Sequence, residues 1–210
     1  GSEMCIRDST HMSLFEGDTN AFDDPNDPMG LSKVARSFMA GILKHASEIS
    51  LVTNQWVNSY KRISGGFEAP ISATWSSGNR CTMLRVPRYM PNKSSSRRVE
   101  VRTPDPGCNP YLAFAAIFAA GLKGVEEGYE IPPEAEEDVN LMHPKERKAM
   151  GYPDLPKSLA SALACFESSE LMAEALGEHV FEFLIRSKHE EWTRYSRHVT
   201  PFELRHYLSL

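Results

Sequence analysis

Residues 98–113 read Arg98-Val99-Glu100-Val101-Arg102, then Thr103-Pro104-Asp105-Pro106-Gly107-Cys108, then Asn109-Pro110-Tyr111-Leu112-Ala113, and the change of period inside this stretch decides the fold class. The first five residues alternate strictly between charge and valine, the period of a β-strand. Asn109 then offers a side-chain cap, and Pro110 suits the first helical position, where a missing N–H costs nothing. The residues that follow, rich in Ala and Leu to about Gly128, predict a central helix with apolar residues on several faces and near-complete burial. A strand therefore hands over directly to a buried helix.

Working outward, Thr82, Leu84 and Val86 alternate within Arg80–Pro87 and predict a second strand, joined to the first by a loop over 88–96. Upstream, Ser32 caps a helix whose Val34, Ala35, Phe38, Met39, Ile42, Leu43 and Ala46 form one apolar face. Residues 51–79 show no clear period. Residues 16–30 concentrate Asp, Asn, Gly and Pro as a solvated loop does; a calcium loop is the other reading, but the EF-hand order of ligands is absent. Downstream, 129–156 is acidic, punctuated by proline, and reads as a surface excursion. Helices follow near 158–166, 169–175 and 178–197, and Thr200, Pro201 and Glu203 form a capping box. With no internal repeat, the body reads as one α+β unit of antiparallel strands with a helical C-terminal portion.

Composition narrows the function classes. The 28 acidic and 23 basic side chains leave a net charge of -5, which gives no support to a sequence-independent grip on nucleic acid phosphates. The longest uncharged apolar stretch, Tyr111–Leu122, has 12 residues, against about 20 for a membrane span. A cytoplasmic protein without a nucleic-acid or membrane partner is expected. Cys5, Cys81, Cys108 and Cys165 lie far apart without CxxC spacing, the pattern of reduced thiols. The first nine residues fit nothing downstream: they open on Gly-Ser, like a cloning scar, and continue as translated sequencing adapter does. Residues 1–9 are therefore expected to be a leader, and 10–210 the domain.

The alternation at 98–102 puts Arg98, Glu100 and Arg102 on one face and both valines on the other. A solvent-facing, salt-bridged strand is one reading, worth little in stability. The other follows from Arg62, Arg80 and Arg85, in the Gly-, Ser- and aromatic-rich segments just upstream. Five guanidinium groups gathered around one carboxylate suit an anionic ligand such as phosphate or carboxylate, which the arginine fork binds bidentately. Glu100 would then serve as a metal ligand beside nucleotide phosphates, since magnesium prefers hard carboxylate oxygens.

Several linked segments carry a family resemblance. Asn58-Ser59-Tyr60-Lys61-Arg62, Gly66-Phe67-Glu68-Ala69-Pro70, Asn79-Arg80, Arg85-Val86-Pro87, Arg98 to Arg102 and Pro104 to Ala113 together resemble the C-terminal half of type I glutamine synthetase, in order and spacing, over essentially Thr10 to Leu210. The resemblance implies a ligase: ATP phosphorylates the glutamate side chain, and ammonia displaces phosphate from the γ-glutamyl phosphate. It implies that Arg62, Glu68, Arg80 and Arg102 bind L-glutamate, with Glu68 on a flap that helps deprotonate ammonium and Arg80 beside the transferred phosphate. His11, Ser13, Arg80, Arg85 and Arg98 are implied as ATP contacts and Glu100 as a ligand of Mg2+ or Mn2+. A ring-type homo-oligomer, a dodecamer, is implied for full-length members. On this reading Glu100→Ala removes function while Val99 and Val101 keep their packing.

The departures from the family are specific. A metal-binding histidine belongs at position 9, where Ser9 stands, and the family's paired metal glutamates and N-terminal domain would precede residue 10. The chain is therefore expected to be a truncated, inactive piece of a catalytic parent. Asn140-Leu141-Met142-His143 has no tyrosine at the adenylylated position of some members, and a basic residue near Ser95 is missing. A glutamate–amine ligase acting on polyamines and a non-catalytic homologue are the rival readings.

Overall fold

Capping side chains fix most helix starts. The computed structural model describes residues 9–64, 69–88 and 93–208. The Ser32 hydroxyl accepts from the Ala35 amide and opens α1 (Lys33–Lys44). The chain breaks at His45, continues as α2 (Ala46–Thr53), and turns into α3 (Val57–Ser64). Asn109 accepts from the Tyr111 and Leu112 amides to start α4 (Pro110–Glu126). Then come α5 (Pro144–Ala149), α6 (Leu159–Glu167), α7 (Glu170–Leu176), α8 (Glu178–Ser196) and α9 (Pro201–Tyr207), the last behind the expected Thr200–Glu203 capping box.

The strands are short. β1 (Thr10–Met12), β4 (Trp75–Ser76), β5 (Leu84–Arg85) and β6 (Val99–Val101) form one sheet in the order β1-β6-β5-β4, and β2 (Phe15–Glu16) pairs with β3 (Thr19–Asn20) in a separate hairpin. β6 is antiparallel to both β1 and β5, whereas β4 and β5 run parallel, a departure from the all-antiparallel expectation. The 77–83 connection doubles back on itself: the Thr82 hydroxyl reaches the carbonyls of both Asn79 and Leu84, so the chain re-enters the sheet in its original direction.

Trp75, Leu84, Val99 and Val101 on one sheet face join Phe22, Phe38 and Ile42 in the main core. α1 crosses α4 at glycines. A Cβ on Gly41 would stand 2.2 Å from the Ala120 carbonyl oxygen, and one on Gly124 would stand 2.1 Å from that of Ser37, so the two backbones touch. Small residues at these positions permit the approach.

Two expectations need correcting. α4 is buried only along its Ala113, Ala116, Ile117, Ala120, Gly121 and Gly124 stripe, while Tyr111 is 83% exposed and Phe114 50%. Small residues face the helices, and the aromatic ones face outward. The 129–156 segment is also no loose excursion, because Ala135, Val139 and Tyr152 bury a second small core and the buried Arg147 of α5 donates to the Met142 carbonyl at 2.7 Å and to Asp154 at 2.9 Å. Its docking to the sheet is polar as well: the Trp75 indole donates to the Pro132 carbonyl at 2.7 Å, and the Ala135 amide donates to the Trp75 carbonyl at 2.9 Å. Among the described residues, no helix is long and apolar enough to cross a membrane.

Candidate active site

Residues paired across adjacent strands share a face, and the register gives His11 opposite Glu100, Glu100 opposite Arg85, and Arg85 opposite Ser76. One row of polar side chains therefore crosses all four strands. The opposite face carries the core residues Val99, Val101, Leu84 and Trp75. The alternation in the sequence is thus a real division between site and core.

Glu100 and Arg102 are not solvent-facing, although Arg98 on the same alternation is exposed. Glu100 is 6% exposed and Arg102 is 3% exposed, which rules out the surface-strand reading. Arg85 Nε donates to Glu100 Oε2 at 2.5 Å, and Arg102 Nε stands 3.7 Å from Glu100 Oε1. Burial works against the Glu100 carboxylate, but the Ser9 hydroxyl, the Arg85 hydrogen bond and the charges of Arg85 and Arg102 outweigh it and hold its pKa below the usual range. Arg98 Nε donates to His11 Nδ1 at 3.2 Å, so this nitrogen must be unprotonated. Burial, then the Arg98 and Arg85 charges, push the His11 pKa down against the opposing pull of Glu100.

Arg62 reaches the same region from α3. Its Nη2 donates to the Thr103 carbonyl at 2.7 Å and to Asn54 Oδ1 at 3.2 Å, tying the last turn of α3 to the residue after Arg102. Arg62, Arg85, Arg98, Arg102, Glu100 and His11 are thereby brought together by β1, β5, β6 and α3. Arg80 sits exposed on the turn between β4 and β5, and Ser13 is exposed just beyond β1; neither touches the row. Glu68, with the Gly65-Gly66 hinge, lies outside the described residues.

Sequence reasoning names Ser9 only as the replacement of a metal-binding histidine and misses its hydrogen bond to Glu100; it misses Asn54 and Thr103, which carry no pattern. It also missed Glu134, hidden in the acidic stretch. Among the described residues, no group of three or more His, Cys, Asp or Glu side chains could hold a metal ion, and both Glu100 oxygens face guanidinium groups. The row in this stretch fits an anion and does not make a complete cation centre.

The depressed carboxylates fix an acid limit. Glu100, Asp154 beside Arg147 and Lys157, and Asp27 beside Arg36 all have folded pKa values below their usual ones, against the opposing effect of burial. Such groups stabilise the fold fully above the unfolded carboxylate range of about 4, and the contribution is lost as pH falls through their folded values. The urea midpoint of the chain is therefore expected to drop as pH falls below about 5 and to go on dropping through the folded values. The drop should be shallower in Glu100→Gln, which cannot take up that proton; an equal slope in both would remove Glu100 from the set.

Comparison with known proteins bears on what the row does. The family model described as the glutamine synthetase catalytic domain matches residues 8–207. The glutamine synthetase of Mycolicibacterium smegmatis is 63% identical over 201 residues, covering 96% of this chain and 45% of the relative. That of Thermotoga maritima is 46% identical over 200 residues, covering 95% of the chain and 45% of the relative. Among solved structures, a GmaS/ADP complex superposes with a TM-score of 0.85 at 31% identity, covering 98% of this chain and 46% of that one. GmaS without ligand gives a TM-score of 0.84 at 32% identity, with 98% and 45% covered. The chain spans about 45% of the length of the curated relatives it matches.

Proposed function

Since this chain belongs to the glutamine synthetase catalytic-domain family, we propose that the full-length protein ligates ammonia to the side-chain carboxylate of L-glutamate, using ATP and giving glutamine. The observation that carries this reading is the Arg85–Glu100–Arg102 row, with Glu100 and Arg102 buried, Arg85 half-buried and Arg62 fastened beside it. A γ-carboxylate oxygen of glutamate attacks the terminal phosphorus of ATP, and ADP leaves. Ammonia then attacks the acyl carbon, loses a proton, and inorganic phosphate leaves.

Charge on the transferring phosphoryl oxygens is where fixed guanidinium groups have most effect, because donors already in place need no reorganisation during the reaction. Arg62 and Arg102, held by backbone and by Glu100, suit the substrate carboxylates; Arg80, Arg85 and Arg98, with His11 and Ser13, suit the nucleotide. Glu68 is assigned the flap role, taking a proton from bound ammonium to release the ammonia that attacks. Magnesium or manganese accompanies ATP in this reading. Glu100 supplies at most one carboxylate to such a centre, so the steps here run through the arginines. A cytoplasmic ring of identical subunits completes the proposal.

The rival is a glutamate–amine ligase of the same family. The identity of 63% to a curated glutamine synthetase, against 31% to the GmaS complex, favours ammonia. Assaying the full-length protein with ammonium beside putrescine and ethanolamine decides between them: glutamine formation is expected, and turnover with the amines alone would move it to the rival class. The 210-residue chain alone should bind ATP no more tightly with magnesium than without, since its described residues hold no metal cluster. Calorimetric titration checks this, and micromolar binding that requires magnesium would contradict it.

A further inference from the structure

The turn that presents Arg80 is held from outside the sheet. One oxygen of Glu134, Oε1, accepts from the Ser76 hydroxyl at 2.9 Å, the Ser77 amide at 2.6 Å and the Ser77 hydroxyl at 2.7 Å. With its proton committed to Glu134, the Ser76 hydroxyl turns its lone pairs to the amides of Gly78 at 3.1 Å and Asn79 at 3.0 Å. Asn79 is in turn fastened at both ends of its side chain, donating to the Glu137 carbonyl at 2.6 Å and accepting from the Cys81 amide at 2.8 Å. Every residue from Ser76 to Asn79 is thus bonded through this acidic segment or by the serine it orients, and the exposed Arg80 follows immediately.

We propose that Glu134 is a positioning residue, fixing the 76–82 turn so that the Arg80 guanidinium stands in one place on the connection between two strands of the charged row. The assignment deepens the reading of Arg80 as a contact to the transferred phosphoryl group and rests on it. An exposed arginine on a loose, glycine-containing turn would sample many positions, and catalysis by charge requires the donor to be in place beforehand. Burial raises the Glu134 pKa, but the bonds from Ser77 and Ser76 outweigh it. The carboxylate is therefore the form that holds the turn at neutral pH.

The test uses Glu134→Ala, Glu134→Gln, Arg80→Ala and the Glu134→Ala/Arg80→Ala pair in the full-length protein, read by glutamine formation and by amide hydrogen exchange. Glu134→Ala should lower kcat about 10- to 100-fold with little change in KM for glutamate, while Glu134→Gln, which keeps one acceptor oxygen, should retain most of it. In the Arg80→Ala background, Glu134→Ala should cost nothing further, because a positioning residue acts only through what it positions. Exchange at Ser77 to Cys81 should quicken in Glu134→Ala and stay near wild type in Glu134→Gln. Multiplying losses in the pair, or wild-type exchange in Glu134→Ala, would overturn the proposal. Loosened exchange in a protein whose wild type makes no glutamine would uphold the clamp and reject the functional reading instead.

Discussion

Glu100→Ala is expected to lower glutamine formation by the full-length protein at least about 100-fold and, contrary to the expectation from the valine alternation, to destabilise the fold. Val99 and Val101 do keep their packing. The loss arises on the other face, where removing the carboxylate leaves the Arg85 and Arg102 guanidinium groups facing each other, Arg102 fully enclosed. Breaking a buried pair from one side costs about 3–5 kcal/mol, and the partial exposure of Arg85 places this site at the lower end. Glu100→Gln keeps the volume and an acceptor for Arg85, so it should fall between wild type and Ala in stability while sharing the loss of activity. Urea unfolding separates these effects from turnover. An alanine variant with wild-type turnover would show that the row is structural only.

The second large effect is expected at the crossing of α1 and α4. Gly124→Ala introduces a methyl 2.1 Å from the Ser37 carbonyl oxygen and 2.6 Å from the Gly41 Cα, and Gly41→Ala meets the Ala120 carbonyl oxygen and the Gly124 Cα in the same way. Both neighbours are backbone, with no rotamer to yield, so the helices must separate along the contact. Alanine gains about 1 kcal/mol over glycine in helix propensity, but overpacking of this kind costs about 1–3 kcal/mol and more where the backbone must move. A net loss of about 2 kcal/mol is expected for either substitution. Gly78→Ala, where an added Cβ meets nothing within 4 Å, serves as the control. Stability unchanged in Gly124→Ala would mean that the helices stand further apart than described.

What was legible in the sequence was what is local. Ser32, Asn109 and Thr200 announce their helices because a cap is written within four residues, and the period of two around Glu100 separates the site face from the core. β1 and β4 were invisible as strands, since two or three residues carry no period. The direction of β4 against β5 depends on how Thr82 folds the connection back. Burial of Glu100 was also beyond reach, for a charged alternating strand reads the same on a surface as under a layer of arginines. Phe114 and Phe118 misled by composition: the apolar helix reads as buried all round, though its buried stripe is made of Ala, Gly and Ile117, and both phenylalanines stay about half exposed. The roles of Ser13 and Glu68 come from the family resemblance alone, and Arg80, one of the five arginines the residues themselves gather, owes to it only its place beside the transferred phosphate.

The sheet's order of pairing carries a consequence for how the chain folds. β1 finds β6 only after nearly half the described polypeptide has been laid down, and the bond between Arg98 and His11 joins residues 87 positions apart. Closing so long a loop is paid in entropy before any contact repays it. α1, α2 and α3 lie wholly inside that loop and can form and begin to pack while β6 is still on the ribosome. The charged row, by contrast, has no partial form, because Glu100 meets His11 and Arg85 only when the last of the three strands arrives. Pulse-labelled exchange during refolding should find the helix amides protected first and those of Thr10–Met12 and Val99–Val101 together and last.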